Sequence, residues 1–480
     1  MNTSEHFVQG DIVNRTTDSN QTAEGHRNYR WYRLDNAAMI VPSTSHGADT
    51  RVFRITCELT ERVDPKLLQE ALDETMEEFP HLRTCLRKGF FWYYFDETPE
   101  KPVVKEDNRP VCAALYIPGR RSMLFRVVYT ENRVSLEMFH AVADGTGGLV
   151  FLRKLICRYL EKKHHLSIPS CEHESSSIRD KAEDAFRRYY TTGKQAVHNY
   201  EGSAKTGQEK PEEEKKKKTK SQLFSMTTQR AYHIPMEKDL SLRCHCVECT
   251  VSASRYRELA KSHGATVGID VVAAYIQALC ETMNARDAKR PIVISVPVNL
   301  RQYFPSETTR NFFNTINVRY DPHEYDGTLD SILPVVRKSF EEQLSPERIK
   351  DTMNRYSTLI HNLAVRAIPL FLKDIGINRF FYLSKAGITA TLSNLGKISM
   401  PEETVPYIRL FAGYMSTPNM QICVSTFGDR MVFGIVTAYT EYTLLPAFVR
   451  KLTEAGLDVE IGSNDCDLRK ENGHAVLSQM

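Results

Sequence analysis

Between residues 133 and 162 the chain changes its period. Over 133–139 apolar side chains alternate, with Val134, Leu136 and Met138 on one face of a strand. From about Thr146 the repeat becomes helical, and Leu149, Leu152, Leu155, Ile156, Tyr159 and Leu160 form one stripe. Between the two lies Phe139-His140-Ala141-Val142-Ala143-Asp144-Gly145, followed by Thr146-Gly147-Gly148. A strand that runs through a glycine-rich turn into an amphipathic helix demands a sheet with a helix layer packed on it. It also puts His140 at the strand end, where Gly145, Gly147 and Gly148 permit the chain to turn.

Around this unit the chain reads as two lobes of α/β (α+β) type, built of mostly antiparallel strands and helices. At 480 residues it exceeds what one ordinary core supports. Composition divides it into a polar, disordered tail at 1–25, a first lobe at 26–190, a charged linker or excursion at 191–225, a second lobe at 226–462 and a tail at 463–480. In the first lobe Phe53, Ile55, Cys57 and Leu59 alternate with Arg54, Thr56 and Glu58, the pattern of a half-buried strand. Asp64-Pro65 opens a helix with the stripe Leu68, Leu72, Met76 and Phe79. Further strands are expected at 90–95, 111–117 and 122–129. In the second lobe 242–250 reads as a strand, 253–263 and 269–284 as helices, and the β-branched run at 291–298 as a central strand buried on both faces. A strand at 312–320, helices at 329–343 and 346–370, and strands at 387–393, 420–427 and 430–439 follow. The last two are joined by Gly428-Asp429, a two-residue hairpin signal.

Several function classes are disfavoured. A net charge of +3, with basic residues scattered among acidic ones, makes no nucleic-acid footprint. The one positive block, Lys215 to Lys218, follows Glu212 to Glu214 and reads as a solvated charge run. No stretch reaches the roughly 18 apolar residues of a membrane span. Eleven cysteines, an odd number, fit reduced thiols and a cytoplasmic protein. Their one cluster, Cys244-His245-Cys246-Val247-Glu248-Cys249, reads as a strand. That places Cys244 and Cys246 on one face and His245 and Cys249 on the other, so no metal site is expected. The serine-hydrolase elbow, the phosphate loop, the zinc-protease helix and the dinucleotide fingerprint are all missing from the sequence.

A neutral imidazole is the natural general base near pH 7, its unperturbed pKa being about 6.5. At a strand end His140 can project into a cleft and take a proton from a hydroxyl or an amine that attacks a thioester carbonyl. The spacing alone is equally compatible with a packed or surface histidine, and His140 with Asp144 could also be two metal ligands lacking a third.

The stretch Phe139 to Gly145 resembles the His-His-x-x-x-Asp-Gly motif of the condensation-domain superfamily of acyltransferases, which includes chloramphenicol acetyltransferase and the alcohol acetyltransferases. Phe139 stands where many condensation domains carry the first histidine, which points away from a peptide-synthetase module. Three more stretches agree in order: Phe79-Pro80-His81-Leu82-Arg83-Thr84; Pro297-Val298-Asn299-Leu300-Arg301 with Asn311-Phe312-Phe313-Asn314-Thr315; and Thr391-Leu392-Ser393-Asn394-Leu395-Gly396, similar to the family's crossover strand. The resemblance spans roughly 30–462 and is nearest to the alcohol acetyltransferase-like branch.

The resemblance implies two chloramphenicol-acetyltransferase-like lobes with a central channel and His140 as the base. It implies that Asp144 supports the loop through a salt bridge to Arg301, with Arg83 as the alternative partner. Gly145 would allow the turn and close substrate approach. Ser393 or Asn394, and less directly Asn314, would donate to the oxyanion; a strand-end turn that caps its own backbone accounts for Ser393 and Asn394 equally well. The donor would be an acyl-CoA, consumed as substrate rather than tightly bound as a cofactor, and the acceptor a small alcohol. An amine acceptor or an acyl carrier protein as donor are alternatives within this chemistry. A non-catalytic relative that binds an acyl ligand or a protein is the alternative of another class; His140, Asp144, Gly145 and Arg301 together argue against it.

Overall fold

The computed structural model describes residues 31–168, 176–190, 230–241, 244–440 and 443–463. The tail expected at 1–25, the charged excursion at 191–225 and the tail beyond Ser463 lie outside these residues. The first lobe contains β1 (Trp31–Arg33), β2 (Val52–Leu59), α1 (Pro65–Glu78), β3 (Thr84–Lys88), β4 (Tyr93–Glu97), β5 (Lys105–Glu106), β6 (Phe125–Tyr129), β7 (Arg133–Phe139) and α2 (Gly145–His164). Two short helices, α3 (Ile178–Lys181) and α4 (Ala185–Tyr189), follow. The second lobe contains β8 (His245–Ser252), α5 (Ala253–Ser262), α6 (Val267–Thr282), β9 (Ile292–Asn299), β10 (Phe313–Tyr320), α7 (Leu333–Gln343), α8 (Pro346–His361), α9 (Leu363–Ala367), α10 (Leu370–Lys385) and β11 (Ala390–Lys397). It ends with β12 (Ile408–Met415), β13 (Met420–Phe427), β14 (Arg430–Thr437), α11 (Leu444–Glu454) and β15 (Glu460–Ser463).

Strand order is β12-β2-β7-β6-β5 in the first lobe's main sheet, with a small sheet β1-β4-β3, and β10-β9-β11-β13-β14-β8-β15 in the second lobe. Pairing is mostly antiparallel; β11 runs parallel to β9 and β13, and β5 to β6. Each main sheet has its own hydrophobic core. In the first, the α2 stripe Phe151, Leu152, Leu155, Ile156 and Tyr159 packs with Phe53, Ile55, Leu136 and Met138. The local signals at the expected boundaries operate: Asp64 caps α1 by accepting from Lys66 N and Leu67 N ahead of Pro65. Gly428-Asp429 closes the β13–β14 hairpin, with Phe427 paired to Arg430.

Four local expectations change. The stretch at 111–117 is not a strand, because Cys112 takes a positive φ of 56° and its segment lies between Pro110 and Pro118-Gly119. The stretch at 370–385 is a separate helix, α10, which the sequence pattern did not distinguish. β2 is buried on both faces rather than half-buried. Its polar residues are matched across to β7, where Arg54 meets Glu137, Thr56 meets Ser135 and Glu58 meets Arg133. Arg133 also reaches Glu248 of β8 at 3.0 and 3.1 Å, so that polar face is turned onto the second lobe.

The fourth change concerns lobe exchange. The strand that crosses to the first sheet is β12, not the stretch at 391–396. β12 pairs with β2, while β11 stays inside the second sheet. β12 also lies against β13 and β14. Gly434 permits this, since a Cβ there would sit 2.1 Å from Gly413 O.

Candidate active site

The backbone ties His140, just past β7, to the start of β2: its N–H donates to Arg51 O at 2.8 Å. The half-buried imidazole meets Phe53 edge-on, with ring centroids 5.4 Å apart, and lies tilted against Phe313 of β10 at 5.5 Å. One wall therefore comes from the first lobe and the other from the second.

Asn311 decides the tautomer. His140 Nδ1 is 3.0 Å from Asn311 Oδ1. The amide nitrogen of Asn311 faces two acceptors, Asp35 Oδ2 at 3.3 Å and Ala141 O at 3.4 Å. Those acceptors orient the amide, so its oxygen faces the ring and Nδ1 must carry the proton. Nε2 is then the nitrogen with the free lone pair. Burial holds His140 below the ordinary imidazole value, which keeps it neutral at pH 7. Burial also raises the Asp35 carboxyl to about 6, against the opposing charge of Arg310.

Both oxygens of Asp144 are engaged in architecture. Oδ1 accepts from Gly147 N at 2.8 Å and caps α2. Oδ2 accepts from Arg301 Nη1 and from Phe312 N, both at 2.8 Å. Arg301 directs its other nitrogens to backbone carbonyls, Nε to Thr308 O at 3.0 Å and Nη2 to Arg310 O at 2.6 Å. The loop 308–312, which carries Asn311, is thus held by Asp144 and Arg301 together. Arg83 pairs instead with Glu97 at 3.4 Å.

The steric demand falls on a different glycine from the expected one. Gly145 is the first residue of α2, and Gly145, Gly147 and Gly148 all have ordinary negative-φ geometry. A Cβ on Gly145 would only press Leu395 Cδ2 at 3.0 Å, whereas one on Gly147 would lie 1.8 Å from Thr309 O. Gly147→Ala must therefore push backbone from backbone, at a cost of about 1–3 kcal/mol or more. Urea unfolding should show this, with Gly145→Ala as the milder control because a leucine tip can move. Equal midpoints for the two variants would contradict the close-approach account.

The three oxyanion candidates separate. Asn394 is exposed, and its Oδ1 accepts from Gly396 N at 2.8 Å, capping the bulge where β11 shifts register. Asn314 lies on the opposite pleat of β10 from Phe313, with Ile316 and Val318 of the second core. Ser393 Oγ accepts from Gln421 Nε2 at 3.3 Å, which leaves its hydroxyl proton free to donate. Among the described residues none of the three is hydrogen-bonded to His140. Leu395 of β11 lies beside this loop, where its Cδ2 would be 3.0 Å from a Cβ on Gly145.

Sequence reasoning missed Asn311, Asp35, Phe53, Phe313 and Arg51 as neighbours of His140. Asn311 and Phe313 carried a signal, because both lie within the Asn-Phe-Phe-Asn-Thr stretch, but the resemblance pointed to Asn314 there. In β8, Cys246 packs in the first core and Cys249 in the second, while His245 Nε2 bonds Asp239 at 3.0 Å. Among the described residues no three His, Cys, Asp or Glu side chains converge as metal ligands, and no single helix is long and apolar enough to cross a membrane.

Two lobes, the second of which lends β12 to the sheet of the first, make the two-lobed fold seen in the condensation domains and chloramphenicol-acetyltransferase-like proteins. The chain is similar in structure to the trichothecene 15-O-acetyltransferase of Fusarium sporotrichioides, with a TM-score of 0.59 and 11% identity over 91% of this chain and 96% of that one. It is similar to the first condensation domain of the calcium-dependent antibiotic synthetase, with a TM-score of 0.60 and 16% identity over 89% and 97%. Polyketide synthase associated protein 5 of Mycobacterium tuberculosis gives 0.56 and 15% over 88% and 96%. By sequence the chain matches no protein-family model and no curated relative.

Proposed function

We propose that the chain is an acyltransferase that moves an acyl group, acetyl in the simplest case, from a coenzyme A thioester to a hydroxyl. The observation that carries this reading is the Asn311-fixed tautomer, which leaves His140 Nε2 as a neutral acceptor between the lobes. Nε2 takes the acceptor's proton as the oxygen attacks the thioester carbonyl, giving a tetrahedral oxyanion and an imidazolium. Collapse breaks the C–S bond, and the imidazolium returns the proton to the leaving thiolate. Nδ1–H stays on Asn311 Oδ1 throughout, so the ring is not displaced between the two transfers. Ser393 is the oxyanion donor in this reading, its hydroxyl proton being free; one such donor is worth roughly 3–4 kcal/mol. Asp144 and Arg301 act through the loop they hold. The thioester is consumed, and no resident cofactor is invoked.

The fold supports transfer chemistry of this kind, since its structural neighbours include an acetyltransferase and condensation domains. The condensation-domain neighbours also keep open an acyl carrier protein as donor and an amine as acceptor. The test is thiol release from acetyl-coenzyme A and from an acyl-loaded carrier protein, each with a panel of alcohols and amines. Turnover with one pairing supports the proposal and identifies the donor. No turnover with any pairing, beside tight binding of a thioester, would make the chain a binding protein instead.

The base must be neutral to work, and burial lowers its pKa, so protonation sets in only at lower pH. The acid limb of kcat/KM should therefore inflect below about pH 6.5, the unperturbed imidazole value. A pH–rate profile with its inflection above that value would contradict the assignment.

A further inference from the structure

Beside His140 lies an excess of positive charge that the acyl-transfer reading leaves unused. Arg51 stands at the start of β2 with φ at 56°, a left-handed conformation that a non-glycine residue adopts at some cost. Its carbonyl holds the His140 N–H at 2.8 Å. Its side chain is only 17% exposed, and Nε and Nη2 are out of contact with solvent and without a hydrogen-bond partner. Asp49 bridges the two cations, its Oδ1 lying 3.3 Å from Arg51 Nε and its Oδ2 2.5 Å from Lys385 Nζ. The guanidinium lies 4.3 Å from the Phe381 ring centroid and Lys385 Nζ lies 4.6 Å from it, so one aromatic ring of α10 orders both cations.

Two cations share one carboxylate here. A guanidinium does not shed its proton, and a buried one with unmatched N–H groups is costly. Burial depresses the Arg51 pKa, consistent with a charge that lacks its full complement. The planar fork matches a carboxylate in two-point geometry. The phosphates of a coenzyme A thioester do not account for the site, because the whole pantetheine arm separates them from the reacting carbonyl. An anion that balanced the second cation would lie close to the transferred group itself, since Arg51 adjoins His140.

We infer that Arg51, supported by Lys385 and Phe381, binds a carboxylate on one of the two substrates beside His140, either on the acceptor or at the far end of the acyl group. The inference rests on the acyl-transfer reading for the words acceptor and acyl, but its test needs no turnover. Calorimetry on the full chain would compare medium-chain ω-hydroxyalkanoates with their primary amides, and succinyl- with butyryl-coenzyme A. One arm should show a preference of roughly ten- to hundredfold for the acid, the range of a hydrogen-bonded charge. Arg51→Gln should bring that ratio near one, and Lys385→Gln should lower it, which covers the case in which the Arg51 variant does not fold. No preference in either arm, or one that survives both substitutions, overturns the inference. A preference for acids without thiol release would sink acyl transfer and leave the carboxylate site standing. Thiol release indifferent to substrate charge would do the reverse.

Discussion

His140→Ala is expected to lower kcat by about 10²–10⁴, the contribution of a positioned general base, while costing only about 1 kcal/mol of stability. The two effects separate because the imidazole is half-buried, and its hydrogen-bonded neighbour Asn311 keeps two other partners, Asp35 and Ala141. The backbone bond from His140 N to Arg51 O survives the substitution, so the strand end keeps its place. Single-turnover thiol release measures the first effect and urea unfolding the second. A folded His140→Ala protein that releases thiol at the wild-type rate would remove His140 from the chemistry.

Asp144→Ala is expected to behave in the opposite way, as a stability defect that carries activity with it. One change removes the α2 cap, the acceptor of Phe312 N and the partner of Arg301. Breaking a buried pair by deleting one member costs about 3–5 kcal/mol, because the remaining charge is left unmatched. The urea midpoint should fall accordingly. The activity that remains in the folded fraction should fall as well, since the loop 308–312 positions Asn311 and through it the imidazole. A double-mutant cycle with Arg301→Met separates architecture from chemistry. The double variant should be less destabilised than the sum of the singles, with a coupling of about 0.5–3 kcal/mol. An Asp144→Ala protein of wild-type stability that has lost activity would instead place the carboxylate in the reaction.

Much of this was legible along the chain. The period change at β7 and α2 placed His140 at a strand end, and the cap at Asp64-Pro65 and the hairpin at Gly428-Asp429 are set by residues next to one another. The pairing of Asp144 with Arg301 was implied by the family resemblance rather than by any local pattern. What was not legible depends on distant partners. β12 lacks an alternating signature because its Gly413 is chosen for packing against Gly434, and its partner β2 lies some 350 residues earlier in the chain. The choice between Asn311 and Asn314 turns on strand pleat and loop path, and both residues sit in one short stretch of similar polarity. The burial of Arg54 and Glu58 was hidden because a charged residue reads as exposed until its cross-strand partner is known.

The sequence by itself determined the local elements and the strand-end position of His140, because periodicity, caps and turn residues act over a few neighbours; the members of the Asp144–Arg301 clamp were named only through the family resemblance. Only the tertiary structure decided which nitrogen of His140 is free, which glycine cannot bear a side chain, and that Arg51, whose carbonyl holds the His140 N–H, shares the single carboxylate of Asp49 with Lys385. Those properties belong to contacts between segments, such as Gly147 with Thr309 and His140 with Asn311, and they exist only once the lobes are packed together.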